Sequence, residues 1–274
     1  MPYTVMTMTT RDNIRDNGTS RPVQKTIKRI LFANAKGGCG KSTLATNLAS
    51  TYASAQINTA LIDHDPQGSA SQWLKRRPDT FHPIHGIDAF RKDNATTTGN
   101  WFMRLPREIE RVIVDTPAGL QGMELRDQIQ QADVIIVPVL PSPIDIHSAT
   151  RFIGTILLSA EYRQQRASKH LVVLANRIRK NTRVLHKLDL FLDSLKLPQV
   201  GDIRDTQQYV HCYESGIGII DIADSRHRED RQHWLDLRAW LEMKFGDNSI
   251  ATGVSNTNRA DTCHEIKEGV YTIR

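Results

Sequence analysis

Long apolar runs are missing from this chain of 274 residues, of which 39% are hydrophobic. A helix that crosses a membrane needs about 20 consecutive, mostly apolar residues, so the sequence predicts no transmembrane segment. The first residues also lack the apolar core of a secretion signal, which favours a cytoplasmic location. Cysteine is scarce as well: Cys39, Cys212 and Cys263 are odd in number and widely spaced. This pattern argues against a disulfide framework and against a CxxC metal site.

The length and composition fit one large α/β domain with loosely ordered ends. Residues 1–26 are rich in Thr, Asn, Arg and Asp and show little apolar periodicity, which predicts a flexible leader. Residues 27–246 form the predicted domain, and the polar residues 247–274 form a predicted flexible tail. The net charge of +6 permits an acidic partner such as nucleic acid but does not require one.

The most informative segment is residues 34–43, which read NAKGGCGKST. The apolar run 29–33 before it is typical of a buried strand, and residues 42–55 after it have apolar residues at helical spacing. A strand, a glycine loop, Lys-Ser/Thr and a helix in this order are the context of a phosphate-binding loop. The alternative, a glycine turn that contains Lys-Ser by coincidence, does not explain the spacing.

The residue types in this loop match phosphate chemistry. Glycines let the loop curl so that its backbone N–H groups point inward, and the start of the following helix adds unpaired N–H groups. Lys41 is predicted to reach the β- and γ-phosphates, and the Ser42 hydroxyl to bind Mg²⁺. The candidate nucleotide-binding residues are Gly37, Gly38, Cys39, Gly40, Lys41, Ser42 and Thr43.

Carboxylates follow two further strand-like runs. Asp63 is the last residue of the run 59–63, and Asp65 lies in the turn that follows it. Asp115 is the last residue of the run 111–115. Ligand chemistry in an open parallel sheet gathers at the carboxyl ends of the strands. Asp115 fits a Walker B carboxylate that holds Mg²⁺ through water. The alternative at each place is a strand followed by a polar turn.

Strand-like and helical segments alternate along the chain, which predicts a doubly wound, mostly parallel sheet with helices on both faces. Further strands are expected at 132–138 and 171–176, and one helix is expected from 144 to about 162. Residues 78–110 are the least readable, with a short strand near 84–90 and a helix near 100–105. An amphipathic helix is predicted over 231–245.

The densest basic cluster begins at the end of the 171–176 strand. No acid occurs among residues 177–187. This pattern favours sequence-independent contact with DNA phosphates, although a solvated charged loop is the simpler alternative. Arg204 either adds to that surface or pairs with Asp202 or Asp205. The candidate DNA-binding residues are Arg177, Arg179, Lys180, Arg183, Lys187 and Arg204.

A second lysine, Lys36, stands directly before the glycines, so the loop reads KGGCGKST. This resembles the deviant Walker A signature of the ParA/MinD family of P-loop ATPases, and the resemblance extends over roughly residues 28–245. It implies Mg²⁺-dependent hydrolysis of ATP and a homodimer that closes over two ATP molecules. In that family the extra lysine crosses the dimer interface, which implies a catalytic role for Lys36 together with Lys41.

The resemblance also implies roles for residues outside the loop. The segment 63–68 is similar to the family's DxDPQG motif, in which the second Asp orients the attacking water; this role falls on Asp65, with Asp63 near the magnesium. Asp115 and Gly119 correspond to the switch segment that senses the γ-phosphate. Asn176 corresponds to an asparagine that contacts adenine.

Within the family, the ParA branch is the better match, with some similarity to its carboxysome-positioning (McdA-like) members. The resemblance implies a nucleoid-associated ATPase that binds DNA nonspecifically and positions a plasmid, chromosome or protein organelle. A small adaptor or activating protein is expected to stimulate hydrolysis. Two alternatives remain: a MinD-like membrane-associated ATPase, against which the poorly basic tail argues, and an ATP-dependent metabolic enzyme on the same scaffold.

Overall fold

A computed structural model describes residues 27–90, 105–179 and 197–246, together with residues 188, 190, 191, 193 and 194. Its strands pair in parallel to form one seven-stranded sheet in the order β3-β2-β4-β1-β5-β6-β7. The strands in the described ranges are β1 (Lys28–Phe32), β2 (Thr59–Asp63), β3 (Ile84–Asp88), β4 (Arg111–Asp115), β5 (Val134–Val139), β6 (His170–Ile178) and β7 (Gln199–Arg204).

Helices connect the strands and cover both faces of the sheet, as the sequence predicts. In the described ranges they are α1 (Lys41–Ser54), α2 (Ser69–Lys75), α3 (Gly122–Gln131), α4 (Pro143–Leu158), α5 (Ala160–Gln164), α6 (Gln208–Ser215) and α7 (Arg228–Phe245). Short 3₁₀ turns lie at Ile219–Asp221 and Ser225–His227.

The core has one apolar layer on each face of the sheet. Ile30 and Phe32 of β1 face a layer that includes residues of α1, α2, α6 and α7, while Leu31 and Ala33 face a layer shared with α3, α4 and α5. The alternation follows from the strand period of two residues. Strands buried on both faces read as continuous apolar runs, which explains why β1, β4 and β5 are recognisable in the sequence.

The helix predicted from 144 to about 162 is interrupted, so that prediction was wrong in its extent. α4 ends at Leu158, and Ser159 adopts an extended backbone conformation. The Ser159 hydroxyl accepts a hydrogen bond from the backbone N–H of Tyr162 at 3.3 Å and thereby caps α5. Serine stabilises a helix start in this way, so the apolar periodicity continues across a break in the backbone.

The remaining predicted elements are the strand and helix between residues 78 and 110 and the two ends of the chain. The strand near 84–90 is confirmed as β3, whereas the helix near 100–105 falls largely outside the described residues, as do the leader 1–26 and the tail 247–274. Within the described ranges, none of the helices has the length and apolar character needed to cross a bilayer.

Candidate nucleotide site

A cavity of about 610 Å³ opens at the carboxyl ends of the central strands. One wall is the loop between β1 and α1, and another is the segment that runs from the end of β7 into α6. Asp65, Asn176 and Arg177 complete the lining together with neighbouring residues. The cavity therefore contains both the predicted phosphate loop and the end of β6.

The phosphate loop is shaped by glycine and held by two asparagines. Gly40 has φ +94°, and a Cβ at this position would lie 2.2 Å from Nδ2 of Asn176. The Asn176 amide donates to the carbonyl of Cys39 at 2.8 Å. On the other side, Asn34 donates to the carbonyl of Pro138 at 2.7 Å and accepts from the N–H of Lys36 at 3.1 Å. Both asparagines fix the loop to neighbouring strands.

The start of α1 is arranged for an anion. Its N-cap is Gly40, which has no side chain to occupy the first backbone N–H groups, and its first turn has no acidic residue. The Lys41 side chain is buried and curls back over the loop, where its ammonium donates to the carbonyl of Lys36 at 3.4 Å. Unpaired N–H groups and a lysine that point into one loop are suited to phosphate.

Asp115, at the end of β4, is a fully buried carboxylate. Neither of its oxygens accepts a well-formed hydrogen bond from the described residues. Burial raises the pKa of Asp115 to about 7; Asp63 and Asp65 raise it further, while the Ser42 hydroxyl and Lys41 lower it. Oxygen ligands are what Mg²⁺ prefers, so the carboxylate of Asp115 and the hydroxyl of Ser42 fit a magnesium site.

The two acids of the 63–68 segment, Asp63 and Asp65, lie in different environments. Asp63 is buried, and its oxygens accept from the N–H of Asp65 at 3.0 Å and from the N–H of Ser71 at 2.8 Å. These bonds fix the turn and the start of α2, and burial raises the pKa of Asp63. Asp65 lines the cavity, and one of its oxygens accepts from the N–H of Gln67 at 3.0 Å. Asp65 is thus the better placed of the two for contact with a ligand.

Lys36 does not line the cavity. Its ammonium lies 2.6 Å from a carboxylate oxygen of Asp145, in the first turn of α4. The Lys36 side chain is 34% exposed. The sequence did not identify Asp145 as a partner of Lys36. The available signal was Ser142, a typical helix-capping residue, which places Asp145 in the first turn of α4 and accepts a hydrogen bond from its N–H at 3.1 Å.

The predicted DNA-binding residues do not share one environment. Arg177 lines the cavity, whereas Arg179 is exposed and pairs with Asp205 at 2.7 Å. Arg204 pairs with Asp230 at 2.7 Å and with Glu229 at 3.4 Å. The alternative of an ion pair is therefore found, but the predicted partners, Asp202 or Asp205, were wrong. The partner acids lie in α7, distant in sequence. Lys180, Arg183 and Lys187 lie outside the described residues.

Asn176 already has protein partners at both ends of its amide. Nδ2 donates to Cys39 and Oδ1 accepts from the N–H of Arg177 at 2.9 Å. An amide has two N–H donors and two acceptor lone pairs, so a second donor and acceptor remain. Contact with adenine stays a prediction. Gly119, which has φ +74°, donates its N–H to the carbonyl of Ala35 at 2.9 Å, so the predicted switch segment touches the phosphate loop.

Comparison with known proteins identifies relatives by sequence. The Maintenance of carboxysome distribution protein A of Gloeobacter kilaueensis is 38% identical over 120 residues, 43% of this chain and 51% of that protein. The chain thus spans about half the length of that relative. The protein of the same name from Halothiobacillus neapolitanus is 26% identical over 197 residues, 70% of this chain and 87% of that protein.

Solved structures share the fold. A putative plasmid partition protein from Borrelia burgdorferi bound to AMPPNP has a TM-score of 0.60 at 16% identity, covering 80% of this chain and 100% of that chain. MinD from Pyrococcus horikoshii complexed with Mg-ADP has a TM-score of 0.61 at 15% identity, covering 81% of this chain and 98% of that chain. The family model described as the CobQ/CobB/MinD/ParA nucleotide binding domain matches residues 30–219, and the chain belongs to this family.

Proposed function

We propose that this protein is a Mg²⁺-dependent ATPase of the ParA type, which couples an ATP-dependent dimer to the positioning of an intracellular cargo. The observation that carries the proposal is a phosphate loop with two lysines in different places. Lys41 is buried over the loop, while Lys36 lies outside the cavity with a partly exposed side chain. Lys36 pairs with Asp145 in its own subunit; in this proposal it exchanges that partner for the nucleotide of a partner subunit.

Hydrolysis requires positioning and charge stabilisation more than covalent chemistry. The loop N–H groups and Lys41 would bind the phosphates. Ser42 and Asp115 would hold Mg²⁺, which would supply positive charge at the phosphate oxygens. Asp65 lines the cavity, and we assign it to the attacking water. In this proposal Asp63 acts mainly by fixing the turn that carries Asp65, because its oxygens already accept backbone hydrogen bonds.

The cargo and the DNA contact are inferred from the relatives. The curated relatives are named for carboxysome distribution and for chromosome partitioning. By analogy, the ATP-bound dimer is expected to bind nonspecific duplex DNA and to leave it when an activating protein stimulates hydrolysis. Such binding is electrostatic and falls steeply with salt.

The decisive experiment measures binding to a nonspecific DNA duplex with ATP, with ADP and without nucleotide, over a series of salt concentrations. Binding with ATP alone, and weaker at high salt, is the expected result. Lys41→Ala is the control, because it is expected to abolish nucleotide binding and with it DNA binding. Retained ATP affinity in this variant would overturn the assignment of the phosphate loop.

Two other outcomes would favour a different function. Absence of DNA binding together with ATP-dependent binding to anionic liposomes would favour a MinD-like membrane ATPase. ATP turnover that rises with a small metabolite and ignores DNA would favour a metabolic enzyme.

A further inference from the structure

We propose that Arg177 binds the nucleotide of its own subunit, on the side of the base, the ribose and the α-phosphate, instead of contacting DNA. This inference rests on the proposed ATP site and adds to it a residue that determines nucleotide affinity. Four observations carry it: the backbone conformation of Arg177, its position in the cavity lining, the absence of an acidic partner among the described residues and the order of the strands.

The backbone at Arg177 is unusual. Its φ is +53°. Among the described residues other than glycine, only Arg177 and Gln56 have a positive φ. The pairing of β6 with β7 shifts register between Asn176 and Ile178, so Arg177 bulges out of the ladder. A left-handed conformation is strained for a residue with a side chain. Bulges are frequent beside active sites because they redirect a side chain. Here the bulge places Arg177 in the cavity lining.

The charge of Arg177 is available for a ligand. Its guanidinium has no hydrogen bond or ion pair with the described residues, although its backbone N–H donates to Asn176. The two neighbouring arginines are already neutralised, Arg179 by Asp205 and Arg204 by Asp230. Asp205 also lines the cavity, but its charge is compensated by Arg179. Arg177 is therefore an exposed residue of the cavity lining whose guanidinium has no acidic partner among the described residues.

The strand order decides which part of the nucleotide this guanidinium meets. β1, which leads into the phosphate loop, is flanked on one side by β4 and β2, which carry Asp115 and Asp63. β6 and β7 lie on the other side, beyond β5. The metal and the γ-phosphate belong with the acids, so Arg177 is on the side away from them. It is therefore expected to strengthen the binding of ATP and ADP by the same factor.

The test measures ADP and AMPPNP binding to the full chain by titration calorimetry with Mg²⁺ and without DNA. Arg177→Gly removes the guanidinium and accepts the left-handed backbone without strain. A charge-assisted hydrogen bond contributes about 1.5–3 kcal/mol, so Arg177→Gly is expected to weaken both nucleotides by about tenfold or more. Arg177→Asn, which also tolerates the left-handed region, is expected to behave in the same way.

Gln56→Gly is the matched control, because it relieves the same backbone conformation outside the cavity. It is expected to bind both nucleotides like the wild type. The inference is overturned if Arg177→Gly binds ADP and AMPPNP within twofold of the wild type. A fall in the DNA affinity of that variant, measured separately in the salt series, would then assign Arg177 to DNA. A loss for AMPPNP but not for ADP would also overturn the inference, because it would place Arg177 at the γ-phosphate. If the wild type binds neither nucleotide, the proposed function fails as well, so the two failures are distinguishable.

Discussion

Lys36 and Asp145 form an ion pair within one subunit, with the Lys36 ammonium 2.6 Å from the carboxylate. The proposed dimer needs Lys36 at the nucleotide of the partner subunit, so the lysine must leave Asp145 when the dimer forms. Dimerisation therefore exchanges one anionic partner for another. The free energy of the pair in the monomer opposes association.

Replacement of Lys36 separates nucleotide binding from dimerisation. Lys36→Ala is expected to bind ATP with nearly wild-type affinity, because its side chain lies outside the cavity of its own subunit, yet to remain monomeric with ATP. Sedimentation velocity with AMPPNP measures the dimer fraction, and calorimetry measures the affinity. Normal dimerisation of Lys36→Ala would disprove the proposed contact across the interface.

Asp145→Asn is expected to shift the same equilibrium in the opposite direction. A partly exposed ion pair contributes up to about 1 kcal/mol, so release of Lys36 is expected to tighten the AMPPNP-dependent dimer by up to about fivefold. Asparagine keeps the shape of the side chain in the first turn of α4. A weaker dimer in sedimentation experiments would mean that Asp145 itself acts at the interface.

The two buried acids are expected to affect stability in opposite directions. Burial raises the pKa of Asp115 to about 7, so above that pH its ionised carboxylate destabilises the folded state. Without Mg²⁺ and above about pH 7, Asp115→Asn removes this buried charge and is expected to raise the free energy of unfolding, on the order of 1–3 kcal/mol. Asp63→Asn is expected to lower it by about 1 kcal/mol, because one acceptor of the α2 start is lost. Urea unfolding with EDTA measures both.

The role of Asp115 in binding Mg²⁺ can be tested by thermal unfolding. In the wild type, Mg²⁺ with ADP is expected to raise the melting temperature above that with ADP alone, because the cation compensates the buried charge of Asp115. This increment is expected to disappear in Asp115→Asn. An increment of wild-type size in that variant would exclude Asp115 as the magnesium residue.

Gly40 lies so close to the side chain of Asn176 that a larger residue does not fit there. Gly40→Ala is expected to lower the melting temperature and to abolish ATP binding, because its Cβ would lie 2.2 Å from Nδ2 of Asn176. Gly38→Ala has a similar positive φ but no atom within 4 Å of the added Cβ, so a smaller loss is expected. Adding Asn176→Ala to Gly40→Ala is expected to recover part of the stability. Equal losses in the two alanine variants would show that backbone strain, and not the contact with Asn176, dominates.

Asp65→Ala tests the assignment of the attacking water. The variant is expected to bind ATP and DNA as a dimer while its turnover falls by about 10²-fold or more. Single-turnover hydrolysis of radiolabelled ATP measures the rate without product release. Gln67→Ala, a neighbouring residue in the cavity lining, is expected to keep most of the rate. Unchanged turnover in Asp65→Ala would remove this residue from the mechanism.

The sequence was sufficient for features that depend on local order. The phosphate loop needs a strand, its glycines and a helix in succession, and the acids need only the ends of strands, so these segments and the parallel sheet were predictable. Contacts across long sequence distances were not. The hydrogen bond of Asn176 to Cys39 and the ion pairs of Lys36 with Asp145 and of Arg204 with Asp230 depend on which strands become neighbours. No local pattern encodes that arrangement.

The left-handed conformation of Arg177 was likewise outside the reach of sequence reasoning. A cluster of basic residues after a strand predicts a positive surface. It does not predict the register shift between Asn176 and Ile178, where Arg177 becomes part of the cavity lining. The described members of the cluster have different surroundings, since Arg177 lines the cavity and Arg179 pairs with Asp205.

The attachment of the phosphate loop to β5 through Asn34 and to β6 through Asn176 has a kinetic consequence. A loop already fixed by two side chains loses little conformational entropy when a ligand arrives. Nucleotide association is then expected to be a single fast step, without a slow rearrangement of the loop. The affinity for the nucleotide, and with it the lifetime of the bound state, is then expected to be set mainly by the dissociation rate.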